Sequence, residues 1–111
     1  MLKKVFLGLV VLGLTACSSG NKEEQQASRM LDDARFALRH GHFNEARDSI
    51  LSMRHKHPTA LEARRQAILL LDSVEMVAAK DSLQSAEGRE WERLDMKVKF
   101  FERKLQEDMG R

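Results

Sequence analysis

Cysteine, proline and aromatic residues are scarce in this chain. A single cysteine, Cys17, excludes an intramolecular disulfide, and a single proline, Pro58, leaves long stretches with no obligatory helix break. Tyrosine is absent and tryptophan occurs once in 111 residues. No nucleophile elbow, phosphate loop, dinucleotide fingerprint or metalloprotease helix occurs, so the chain reads as non-catalytic and free of cofactors. The carboxylates fall on polar helix faces, away from the apolar neighbours that would raise a pKa for catalysis.

An excess of either charge is lacking too. Lys3 and Lys4 account for the whole difference between 19 basic and 17 acidic residues, and without them the two signs balance. That balance removes the electrostatic case for a nucleic-acid partner. What is plentiful is Ala, Leu, Glu, Lys, Arg and Gln, the residues that lose least on entering a helix, and an all-α fold follows.

The first residues are organised around Cys17. Lys3 and Lys4 precede an apolar stretch over residues 5–14, which then runs through Thr15 and Ala16 to the cysteine. As a helix that stretch is about 15 Å long, half the hydrocarbon thickness of a bilayer, and too short for a permanent span. The pattern resembles a bacterial lipoprotein signal peptide, with cleavage before Cys17 and acylation of its sulfur. Two or three acyl chains, at about 0.8 kcal/mol per buried methylene, make such an attachment lasting. Ser18 after the cysteine resembles the pattern passed to the outer membrane in Gram-negative lipoproteins. Lys22-Glu23-Glu24 resembles the short signal that sends Bacteroidota lipoproteins to the cell surface. The resemblance implies an outer-membrane lipoprotein, on the periplasmic face or at the surface. Residues 18–26 are polar throughout, and residues 17–26 read as a lipidated, flexible tether.

Beyond the tether, Ala27, Met30, Leu31, Ala34, Ala37 and Leu38 recur at steps of three and four, which predicts an amphipathic helix ending near Arg39. Gly41 stops it. A second helix from Phe43 carries Phe43, Ala46, Ile50, Leu51 and Met53 on its inner side and ends before Pro58. Residues 27–60 thus form a helical hairpin. Its length, together with Gly41-His42-Phe43-Asn44-Glu45-Ala46, Ile50, Met53 and Pro58, resembles one tetratricopeptide repeat, with Ala34 at the helix crossing. Met53 departs from the small residue preferred there, and no second copy follows 34 residues on. A lone repeat leaves its apolar face open, so the next helix is expected to cover it.

That next segment, residues 59–109, reads as a long helix. Thr59 and Glu62 have capping-box spacing, and Ala60, Ala63, Ala67, Leu70, Leu71, Val74, Val77 and Ala78 make an apolar stripe widened by Ile68. The stripe lapses over residues 80–90, where Gly88 predicts a kink or break. Trp91, Leu94, Val98, Phe101 and Leu105 then form a coiled-coil-like seam, with Phe100 beside it. The seam must fold back on the hairpin or pair with another chain, since two heptads are marginal alone.

His40 and His42 form one spaced pair and His55 and His57 another, about 20 Å apart along a helix, so the four do not make one metal site. Arg64 with Arg65, and Arg89 with Arg93, read as solvated faces with intrahelical ion pairs to Glu62 and Glu90. The expected function is a membrane-tethered interaction module that offers an apolar groove to an envelope protein. Phe43, Trp91, Leu94, Val98, Phe101 and Leu105 are its candidate contacts, in addition to the lipidation site Cys17. The alternatives are a self-associating coiled-coil spacer of the envelope, or an accessory in outer-membrane protein assembly.

Overall fold

The computed structural model describes residues 22–110; Cys17 and the signal-peptide and lipidation assignments lie outside them. The described residues form four helices and no strand: α1 (Lys22–Arg39), α2 (Phe43–Lys56), α3 (Leu61–Leu83) and α4 (Gly88–Met109). The fold is all-α, a helical hairpin followed by two long helices.

The ends of these helices follow from local chemistry. Gly41, at φ +75°, closes α1: the His42 N–H reaches the Ala37 carbonyl at 2.8 Å and the Gly41 N–H reaches that of Leu38 at 3.1 Å. This is a Schellman cap, which needs a left-handed residue that glycine adopts without strain. Pro58 follows one residue after α2, whose end is sealed by the His57 N–H on Met53 at 2.9 Å. The predicted break falls at residues 84–87, where turn hydrogen bonds replace helical ones and Gly88 restarts the helix at φ +60°.

Two expectations at the amino end are corrected. α1 starts at Lys22, so residues 22–26 of the expected tether are helical. The capping box at Thr59 and Glu62 does not form either. Ala60 is the N-cap of α3 and supplies no side-chain bond. The Glu24 carboxylate takes its place from α1, accepting the N–H of Glu62 and of Ala63, each at 3.1 Å. Next to it, the His57 Nδ1–H donates to Glu23 at 2.8 Å. The first turn of α1 therefore ties down the connection between α2 and α3.

Packing divides the molecule into two cores. The first joins α1, α2 and α3 as far as Val74 around Leu31, Ile50, Met53 and Val74, all fully buried, with Ala27, Ala34, Ala46, Ala63 and Ala67 between them. The alanines let the helices approach closely, while each of the four large side chains contributes about 1.5–3 kcal/mol by burial. α3 thus covers the open face of the hairpin. Ile68 and Leu51, expected on inner faces, are exposed. The second core joins the C-terminal half of α3 to α4 through Ala79, Leu94 and Val98, flanked by Met76, Leu83 and Ala86. α4 runs back antiparallel along α3, and Glu75 on α3 pairs with Arg47 of α2 on one side and Lys97 of α4 on the other.

Candidate interaction surface

Two of the six apolar side chains proposed as partner contacts are used up by the fold. Leu94 and Val98 are each 6% exposed, buried between α3 and α4. The middle of the seam over residues 91–105 therefore packs within the chain, against α3. Phe43, Phe101 and Leu105 are half-buried, and Trp91 remains exposed at the start of α4. Phe101 makes an edge-to-face contact with the exposed Phe100, ring centroids 5.0 Å apart.

The structure gathers Leu105 into an open groove of about 320 Å³ where α1, α3 and the end of α4 meet. Leu69, Leu70 and Leu105 form its floor, Met109 stands exposed at one edge, and Arg35, Gln66 and Ser73 supply polar groups. Arg35 is held in place by Asp32 at 2.8 Å and by the Gln66 side-chain oxygen at 3.0 Å. An apolar floor with a few oriented polar groups suits a peptide segment or helix edge better than a small charged ligand. Leu69 and Met109 were not singled out in the sequence, because both lie off the regular stripes that mark helix faces.

Beneath α4 lies a charge cluster that the sequence concealed. Asp72 is only 3% exposed; its Oδ1 accepts from Lys104 Nζ at 2.9 Å, and Lys104 also reaches Asp108 at 2.7 Å. The second oxygen of Asp72 is buried and receives no N–H among the described residues, and the carboxyl also hydrogen-bonds to that of Asp108. Burial pushes the Asp72 carboxyl above its ordinary value, the adjacent Asp108 carboxyl adds to the rise, and Lys104 opposes it. The Lys104 ammonium is in turn raised by its bonds to Asp108 and Asp72. This corrects the expectation that every carboxylate sits on a polar face. Lys104 thus links Asp72 of α3 to Asp108 of α4.

The rings of His40 and His42 lie 6.3 Å apart. His40 stacks on Phe36, ring centroids 4.1 Å apart, and its Nδ1 lies 2.9 Å from the Phe36 carbonyl. His57 is engaged by Glu23, and among the described residues no group of three metal-ligating side chains comes together. Arg93 pairs with Glu90 at 3.1 Å as its spacing predicts. Arg64 and Arg65 do not pair with Glu62, whose backbone is bound by Glu24 and whose carboxylate receives Gln66. No protein-family model, curated protein or solved structure matches this chain.

Proposed function

We propose that the protein is a lipoprotein of the cell envelope, anchored through Cys17, that acts as a non-catalytic interaction module and holds a protein segment in the groove between α1, α3 and the end of α4. The groove carries the reading: Leu69, Leu70 and Leu105 offer apolar area, and Arg35 is pre-positioned by Asp32 and Gln66 to fix a partner's polar group. The anchor rests on Lys3, Lys4, the apolar stretch over 5–14 and Leu14-Thr15-Ala16-Cys17. The outer membrane as its location rests on Ser18 and on Lys22-Glu23-Glu24.

A photo-crosslinking residue placed at Met109 in living cells tests the groove, with one at Asp33 on the opposite, exposed face of α1 as the control. The expected result is a discrete adduct with one envelope protein from position 109 and none from position 33. Adducts only with other copies of this chain would favour the self-associating spacer instead. Adducts that are equal at both positions would remove the groove from the account.

A further inference from the structure

Arg35, Arg47, Arg93, Lys99 and Lys104 are paired with carboxylates, whereas among the described residues Arg29, Arg39, Arg54, Arg64, Arg65, Arg89 and Arg103 make no ion pair. Three of these arginines gather at one place, the end formed by the last turn of α2 and the first two turns of α3. Arg54, Arg64 and Arg65 line a shallow groove of about 260 Å³ together with Leu61 and Ile68. Among the described residues no carboxylate lies within ion-pair distance of these three guanidinium groups; Arg64 instead donates to the Pro58 carbonyl at 3.0 Å. Leu61 is 72% exposed and Ile68 44%, and the exposed His55 and Lys56 lie at the same end. Three carboxylates also lie at this end: Glu23 is bound by His57, Glu24 by the start of α3, and the exposed Glu62 by Gln66 at 3.4 Å.

This end is also where the chain leaves the body. Glu23 and Glu24 fix the start of α1 against the α2–α3 connection, and five residue steps separate Lys22 from Cys17, at most about 17 Å of chain. A body tethered at Cys17 must keep this end within that distance of the bilayer. We propose that the Arg54, Arg64, Arg65 face with Leu61 and Ile68 docks on an anionic phospholipid surface, so that the protein lies on its membrane in one orientation and turns the groove at Met109 away from the lipid. The arginines meet headgroup phosphates while their stems, Leu61 and Ile68 enter the interfacial region. Each basic residue near an anionic leaflet is worth about fivefold in partitioning, about a hundredfold for three. This orientation rests on the reading of Cys17 as the acylated residue.

The test uses the acylated full chain in vesicles, where the Cys17 sulfur is blocked and an introduced cysteine can carry an environment-sensitive fluorophore. Thr59→Cys places the probe in the exposed turn before α3, and Glu92→Cys places the control on α4. With phosphatidylglycerol-containing vesicles the probe at 59 is expected to shift to the blue and be quenched from the lipid phase, whereas the probe at 92 is not. High salt, pure phosphatidylcholine, or joint Arg54→Glu, Arg64→Glu and Arg65→Glu substitution abolishes the effect. A signal at 59 that survives the charge reversal, or equal signals at 59 and 92, would overturn the proposal. Should intact mass show Cys17 unmodified, the same comparison on added Cys17→Ala chain reads the charge dependence separately. Failure of the anchor and failure of the docking face are then distinct results.

Discussion

The carboxylate of Glu24 accepts the backbone N–H of Ala63 at 3.1 Å, across a sequence separation of 39 residues. An acidic residue in a stretch that reads as a polar tether is thereby the N-terminal cap of a different helix. Its charge meets the positive end of the α3 dipole, and two otherwise orphaned N–H groups are satisfied together. Glu24→Ala is expected to cost about 1–2 kcal/mol in urea unfolding, while Gln25→Ala, one residue on and exposed, costs nothing measurable. Equal midpoints for the two variants would mean that α3 is capped by water.

Asp72 and Lys104 set a pH dependence whose sign can be worked out. The folded state holds the Asp72 carboxyl above its ordinary value, so the native protein binds a proton more readily than the unfolded chain. The stability this proton confers is present at acid pH and lost as pH rises through the raised value. Asp72→Asn is therefore expected to match or exceed the parent at pH 7, with its advantage shrinking as pH falls toward 4. Urea midpoints across that range check it, and an advantage that grows on acidification would contradict it.

Removing the cation has the opposite effect. Lys104→Met leaves Asp72 and Asp108 facing each other without compensation, and is expected to cost about 1–3 kcal/mol at pH 7, recovering in part below pH 5 as the carboxyls protonate. A loss independent of pH would show that the lysine acts through its aliphatic stem alone.

Leu94 and Val98 separate intrachain packing from association. Leu94→Ala is expected to cost about 2–3 kcal/mol through the cavity it leaves between α3 and α4, and Val98→Asp more, with no dependence on protein concentration. Phe100→Ala, on the exposed side of the same helix, changes stability by less than about 0.5 kcal/mol. If the loss at Val98 fell with increasing concentration, the seam would be an interface between copies.

The backbone turn at Gly41 offers a simpler check. A side chain there meets open space but must adopt φ +75°, so Gly41→Ala costs about 1 kcal/mol by strain alone, and Gly41→Asn less.

Much of the fold was legible because its signals are local. The stripe through Ala27, Leu31, Ala34 and Ala37 marks a buried face by spacing alone, and Gly41, Pro58 and Gly88 punctuate the helices as their backbone preferences dictate. What stayed hidden depends on contacts distant in sequence. Glu24 looks like solvated linker until α3 is placed beside it. Asp72 sits where the stripes of α3 shift from facing the hairpin to facing α4, so its burial appears only once both partners are present. The seam from Trp91 to Leu105 was equally compatible with a partner chain or with α3, because periodicity marks an apolar face without saying what covers it. The groove at Met109 is set by where α4 ends against α1 and α3, which no single helix encodes.

The most direct measurement is the intact mass of the protein isolated from the membrane fraction of its own cells. The account predicts a chain that begins at Cys17 and carries two or three acyl chains on that residue. An unmodified polypeptide that retains residues 1–16 and stays in the soluble fraction would contradict it.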